Sequence, residues 1–148
     1  MKGILLVEDN SSDEKLTVLA FKSSGVPCEI TVLRDGAAAV DYLLPGGEDS
    51  RVGAARLPDL VLLDLKLPKL DGLEVLRRIR ADERTRFLPV VVLTASNEDE
   101  DVRRSYEQGA NAYIRKPVDF AEFAAAAETV GRFWLILNEL PPMPRSSR

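Results

Sequence analysis

An aspartate, Asp64, interrupts the apolar run VLLDLKLPKLDG, Val61 to Gly72. Burying an unpaired carboxylate costs several kcal/mol or forces it to take up a proton. Asp64 therefore either ends a buried strand or is there for chemistry. Polar groups close three other apolar runs: Glu8-Asp9 after ILLV, Thr94-Ala95 after VVVL, and Lys116-Pro117 after AYIR. If these run ends meet, three carboxylates converge, and a pair about 4 Å apart repels by roughly 4 kcal/mol at an effective dielectric of 20. Such a cluster demands cations. Lys116 supplies one charge, and a divalent ion supplies the rest. A few protein carboxylates completed by waters and a phosphate is the ligand pattern of Mg²⁺.

Singly, each residue has a plainer explanation. Glu8 and Asp9 would favour the N-terminus of a following helix. Asp64 could be satisfied by backbone N–H groups. Thr94 could be a β-branched strand residue, and Lys116 an exposed loop lysine. Their joint placement at the ends of successive apolar runs sets the chemical reading apart.

Composition narrows that chemistry. The 148 residues fit one domain, and the 45% hydrophobic, 30% charged make-up is that of an ordinary soluble globular chain. A net charge of -4 gives no electrostatic reason to expect nucleic acid or an anionic membrane as partner. The sequence has no histidine, which removes Ser-His-Asp and Cys-His mechanisms and most catalytic zinc sites. Carboxylates, lysine, hydroxyls and a hard metal remain. The single cysteine, Cys28, sits in an apolar alternation and reads as a buried small hydrophobe rather than a reactive thiol. The opening MKGILLVEDN has too short an apolar run for a signal peptide, and no segment reaches membrane-spanning length, so a cytoplasmic location is expected.

The elements that must position the polar groups follow from periodicity. Short runs rich in Val, Ile and Leu predict strands at Ile4–Val7, Cys28–Leu33, Leu60–Leu63, Val90–Leu93 and Ala112–Ile114. Between them lie segments of helical period. Residues Asn10 to Asp13 supply N-cap groups for a first helix with Leu16, Leu19 and Ala20 on its apolar face, ending at Gly25. Asp35 caps a second helix over Gly36 to Leu44, closed by Pro45-Gly46-Gly47. Leu73, Val75, Leu76 and Ile79 mark a third, and Val102, Tyr106 and Ala110 a fourth. Asp119 caps a fifth that runs to about Glu139. Strict alternation implies a doubly wound (βα)₅ α/β fold, a parallel sheet covered on both faces. Ligands of such sheets bind outside the carboxyl ends of the strands. Pro45 to Leu57 reads as an exposed insertion. The expected domain spans residues 1–140, followed by a short Pro-rich tail over 141–148.

Taken in order, the acidic pair after the first strand, VLLDLKLPKLDG, VVVLTAS and AYIRKP resemble the receiver domains of two-component response regulators, and the resemblance covers nearly the whole chain. It implies a flavodoxin-like five-stranded sheet of order 2-1-3-4-5. Asp64 would be the phosphoacceptor. Glu8, Asp9 and Asp64 would serve Mg²⁺, with Lys66 adding its backbone carbonyl. Thr94, Ala95 and Lys116 would contact the phosphoryl group, Tyr113 would be the switch aromatic, and the Lys116–Pro117 bond would be cis. Many receivers carry two aspartates where this chain has Glu8-Asp9, which leaves open whether Glu8 meets the metal directly or through water. Lys66 would place a cation near the mouth of the site and modulate the phosphoryl lifetime. The chain would be no enzyme in the usual sense, only assisting its own phosphotransfer and autodephosphorylation.

The phosphoryl donor would be a phosphohistidine on a separate sensor histidine kinase. SYEQGANAYIRKPVD together with FWLILNELP is most similar to stand-alone regulators paired with phytochrome kinases, which implies a bacteriophytochrome-type partner. The end of the chain soon after the fifth helix leads to the expectation of output by protein contact. Phe120, Phe123, Ala124, Ala127 and Trp134 form one stripe of the last helix. Phe133, Leu135, Ile136 and Leu137 make its C-terminal half apolar almost all round. A homodimer is expected through Tyr113, Phe133, Trp134, Ile136 and Leu137 on the helix 4–strand 5–helix 5 face and C-terminal helix; packing against Pro141-Pro142 is the alternative. Two other readings remain: a pseudo-receiver that acts without phosphorylation, and an aspartyl-nucleophile phosphohydrolase, which would want an acid where Lys66 stands.

Overall fold

The computed structural model describes residues 1–44 and 57–142. The Pro45-Gly46-Gly47 helix stop, nearly all of the expected insertion and residues 143–148 of the tail lie outside the described residues. Five strands, β1 (Lys2–Val7), β2 (Cys28–Leu33), β3 (Leu60–Leu63), β4 (Val90–Thr94) and β5 (Ala112–Arg115), form one parallel sheet in the order β2-β1-β3-β4-β5. They alternate with α1 (Ser11–Ser23), α2 (Gly36–Leu43), α3 (Gly72–Ala81), α4 (Asp99–Glu107) and α5 (Phe120–Gly131). Among the described residues no helix is long and apolar enough to cross a membrane.

Except for α4, the helices start where the sequence offers a carboxylate or amide to orphan backbone N–H groups. Asn10, Asp35, Asp71 and Asp119 accept from the backbone N–H of Asp13, Ala38, Glu74 and Glu122. The strands are apolar throughout because both sheet faces are covered. Alternate residues divide between two cores. Ile4, Leu6, Leu60, Leu62, Val91 and Leu93 pack under α1 and α5. Leu5, Val7, Val61, Leu63 and Val90 pack under α2 and α3.

Four expectations change. The core face of α1 is Thr17, Ala20 and Phe21, while Leu19 is exposed. Thr17 tolerates burial because its hydroxyl donates to the Asp13 carbonyl at 2.7 Å. On α4 the buried residue is Ser105, likewise bonded back to the Asp101 carbonyl, and Tyr106 is exposed. On α5 Phe120 is partly exposed and the buried face is Phe123, Ala127, Val130 and Gly131. Cys28 is half-buried at the edge of a core, where burial pushes its thiol pKa up.

The last helix also changes type. Arg132–Leu137 forms a π-helical turn, closed by the Asn138 N–H donating to the Phe133 carbonyl at 2.7 Å. Only Leu135 is buried there, with Trp134 half-buried.

Register places the strand ends. Val7 pairs with Leu63 and with Leu33, so the next residues, Glu8 and Asp64, stand side by side. The Asp64 N–H donates to Val7 O at 3.1 Å and the Glu8 N–H to Leu33 O at 3.0 Å. Gly72 lets the exit loop fold back onto this edge. A Cβ there would lie 2.3 Å from the Asp64 carbonyl oxygen and 2.7 Å from Leu65 Cα. Gly72→Ala should therefore displace backbone at Asp64 and destabilise the fold by about 2 kcal/mol or more, read from urea denaturation; an unchanged midpoint would contradict this account of the close approach.

Candidate functional site

Asp64 sits one residue beyond β3 and is 7% exposed. Its Oδ1 accepts from the Thr94 hydroxyl at 2.8 Å and from the Lys66 backbone N–H at 3.3 Å. Its Oδ2 accepts from the Lys116 ammonium at 3.0 Å. Thr94 closes β4, and Lys116 follows β5, where its N–H donates to Thr94 O at 2.8 Å. Continued alternation carries Glu8, Asp64 and Lys116 to the sheet face under α1 and α5. Lys116 is the centre of the cluster. Its Nζ also reaches Glu8 Oε1 at 2.7 Å and Asp13 Oδ2 at 2.8 Å.

Ligand oxygens of Glu8, Asp9 and Asp64 all lie within 4.8 Å of one another. This hard, all-oxygen set fits a divalent cation of the Mg²⁺ kind, which takes few protein carboxylates and keeps much of its water shell. Asp9 and Asp64 face an open cleft whose lining also includes Asp13, Lys66, Thr94, Ala95, Ser96 and Lys116. Asp9, Asp13 and Asp64 thus share one open recess with the buried Lys116 ammonium.

Electrostatics separate the two buried carboxylates. Burial, with the Asp64 charge adding to it, pushes Glu8 from its usual 4.5 up to about 7, against the pull of Lys116 and the Asn10 N–H. At Asp64 burial also disfavours the charge, yet the Lys116 ammonium and the Lys116, Thr94 and Glu8 hydrogen bonds outweigh it and hold the carboxyl below its ordinary range. Lys116 loses hydration by burial, but its bonds to Asp13, Glu8 and Asp64 raise its pKa, keeping it charged. Asp64 is therefore the more acidic of the two, and Glu8 the one whose charged form burial disfavours. Among the described residues no buried side-chain polar atom lacks a hydrogen-bond partner.

Behind the site, Ser96 joins three groups. The Tyr113 hydroxyl donates to its carbonyl at 3.1 Å, its own hydroxyl donates to Asp101 Oδ2 at 2.5 Å, and its N–H lies 3.5 Å from Thr94 Oγ1. Tyr113 is half-buried, tied to the loop that follows Thr94. One expectation fails outright: the Lys116–Pro117 bond is trans, as is every peptide bond among the described residues. Trans is the form an X–Pro bond favours by about 0.5–1 kcal/mol, and it coexists here with the Lys116 N–H bond to β4. Asp13, read from sequence only as a capping residue, proves to be part of the cluster. Its signal was available as a carboxylate one helical turn after Asp9, on the first turn of α1.

Residues 4–128 match the profile of the response regulator receiver domain. The chain is similar to the probable methanogenesis regulatory protein FilR2 of Methanothrix harundinacea (strain 6Ac), 47% identical over 139 residues, 93% of this chain and 86% of that protein. Among solved structures it resembles the bacteriophytochrome response regulator RtBRR, with 50% identity and a TM-score of 0.74 over 96% of this chain and 85% of that one. It also resembles the phosphorylated cyanobacterial phytochrome response regulator RcpA, with 41% identity and a TM-score of 0.86 over 95% and 99% of the two chains.

The raised Glu8 pKa has a consequence for stability. Between pH 4.5 and 7 the folded state holds a proton that the unfolded chain has lost, so this contribution is full below 4.5 and is lost as pH rises through about 7. The Asp64 contribution runs oppositely and is lost only on acidification below the ordinary carboxylate range. Metal-free protein should therefore lose stability relative to Glu8→Gln as pH rises from 5 to 7. Urea denaturation with a chelator present checks this; parallel curves would contradict it.

Proposed function

The chain belongs to the response regulator receiver domain family, and on that premise we propose that it is a single-domain, cytoplasmic response regulator, phosphorylated on Asp64 with Mg²⁺ by a phytochrome-type sensor histidine kinase. The observation that carries this reading is the Asp64 carboxylate, ionised and held at once by Thr94 and Lys116 beside two further acids. The receiver unit is residues 1–140, with 141–148 as a tail. The likeness to two phytochrome response regulators supports the kinase class.

An Asp64 oxygen attacks the phosphorus of the donor phosphohistidine. The new O–P bond forms as the P–N bond breaks, and the electron pair returns to the imidazole nitrogen of the donor. No proton has to leave Asp64 first, because its neighbours keep it ionised at neutral pH. Glu8, Asp9, Asp64 and the Lys66 carbonyl would hold Mg²⁺, which when bound supplies positive charge against the phosphoryl oxygens. Thr94, already donating to Asp64 Oδ1, re-aims its hydroxyl hydrogen bond to a phosphoryl oxygen, and Lys116 pairs with another. Ala95, beside them in the cleft, lines the same space. Reversal by water is the same positioning applied to a second nucleophile, and Lys66 at the mouth modulates its rate.

Movement of Thr94 pulls on Ser96, to which Tyr113 is bonded, so the face of α4, β5 and α5 responds to phosphorylation. Output is protein contact, including a homodimer. Phe133, Ile136 and Leu137 support the dimer: they are 46%, 57% and 71% exposed on the π-helical turn, beside half-buried Trp134, and Pro141 and Pro142 are themselves exposed.

Sizing the protein with and without Mg²⁺ and beryllofluoride tests site and output together. Wild type should change its elution or association with the mimic, and Asp64→Asn should not. A wild type indifferent to the mimic in size and in binding would favour a phosphorylation-independent adaptor. In Lys66→Ala the dephosphorylation rate, followed after acetyl phosphate is removed, should change several-fold; an unchanged rate would remove Lys66 from the account.

A further inference from the structure

Lys116 has three donor hydrogens, and each has a carboxylate acceptor: Glu8 at 2.7 Å, Asp13 at 2.8 Å and Asp64 at 3.0 Å. Resting on the function proposed above, the ammonium must also serve a phosphoryl group once Asp64 carries one. Its acceptors then outnumber its hydrogens. Glu8 is 1% exposed, and without Lys116 it would keep a 3.2 Å contact from the Asn10 N–H and its side-chain hydrogen bond with Asp64. Losing the ammonium would leave a buried oxygen poorly satisfied. Asp64 stays beside the ammonium, since it bears the phosphoryl group, and its remaining oxygen keeps an acceptor there. Asp13 differs: its side chain is 31% exposed and lines the open cleft, so water can replace Lys116 there.

Asp13 is also firmly placed. Its N–H donates to the Asn10 side chain at 2.9 Å, and its carbonyl accepts from the Thr17 hydroxyl at 2.7 Å. These bonds involve only its backbone, so the carboxylate can be altered with the first turn of α1 intact. It lies outside the group of acids close enough to share a cation, which is Glu8, Asp9 and Asp64 among the described residues.

We propose that Asp13 is a positioning residue that holds Lys116 in the unphosphorylated protein and competes with the phosphoryl group for it. Its charge opposes the incoming anion and favours the incoming metal, because both respond to the same local potential with opposite sign. A residue of this kind sets how readily the phosphoryl-aspartate forms and how long it lasts, without touching phosphorus itself.

The prediction is a pair of opposite shifts. In Asp13→Asn, beryllofluoride at saturating Mg²⁺ should bind about threefold or more tighter, and Mg²⁺ alone should bind weaker by a similar factor. Asp13→Glu, which keeps the charge, should move both affinities back toward wild type. Calorimetric titration of wild type, both variants and Asp64→Asn reads all of these. A local structural defect would weaken both ligands, and that outcome, or no change in either, overturns the proposal. Weaker beryllofluoride binding with unchanged Mg²⁺ affinity also overturns it, since Asp13 would then assist Lys116 rather than compete for it. Failure of wild type itself to bind beryllofluoride would instead overturn the receiver reading on which the proposal stands.

Discussion

The Lys116 ammonium, shared among the carboxylates of Glu8, Asp13 and Asp64, is the contact on which the site depends. Like charges gathered at a sheet edge repel by several kcal/mol per close pair, and a buried carboxylate with no partner would simply take up a proton. Lys116 prevents this at Asp64 and only partly at Glu8, so two acids a hydrogen bond from the same cation differ in protonation. The difference leaves Asp64, bonded by both Lys116 and Thr94, as the carboxylate best kept charged. It also leaves the cluster short of positive charge, which a divalent ion and an incoming donor complex are suited to supply.

Everything else in the fold brings that ammonium to those acids. Parallel register aligns Val7 with Leu63 and Thr94 with Arg115, so the residues that follow emerge at one level. The apolar strands anchor this edge from both sides, and close backbone approaches at Gly36 and Gly72 fold the flanking loops against it. Lys116 follows the last strand and Glu8 the first, with β3 and β4 between β1 and β5 in the sheet. The site is therefore absent from any local fragment of the chain and appears only when the whole sheet has formed.

The sequence made the strands legible because a doubly covered parallel sheet writes itself as unbroken Val, Ile and Leu runs, and Asp64 stood out as the one charge in such a run. Helix starts were equally readable, since Asn10, Asp35, Asp71 and Asp119 cap by side-chain chemistry. Helix faces were less so. Leu19 fits an apolar stripe by type, yet Thr17 is buried in its place because a hydroxyl bonded to its own helix behaves as an apolar group. Asp13 was hidden for a related reason, as an acid in a first helical turn has an ordinary role that needs no partner. The π-helical turn at Arg132–Leu137 and the trans Lys116–Pro117 bond leave no mark on residue type or spacing at all.

The central claim is that Asp64, kept ionised by Lys116 and Thr94, accepts phosphoryl directly from a P–N bond. Incubation with phosphoramidate and Mg²⁺, followed by borohydride reduction and peptide mass analysis, tests it most directly. The account predicts modification confined to the peptide that carries Asp64, reduced in Lys116→Ala and Thr94→Ala and abolished in Asp64→Asn. Modification that survives in Asp64→Asn, or a wild type that takes up no phosphoryl group, would contradict it.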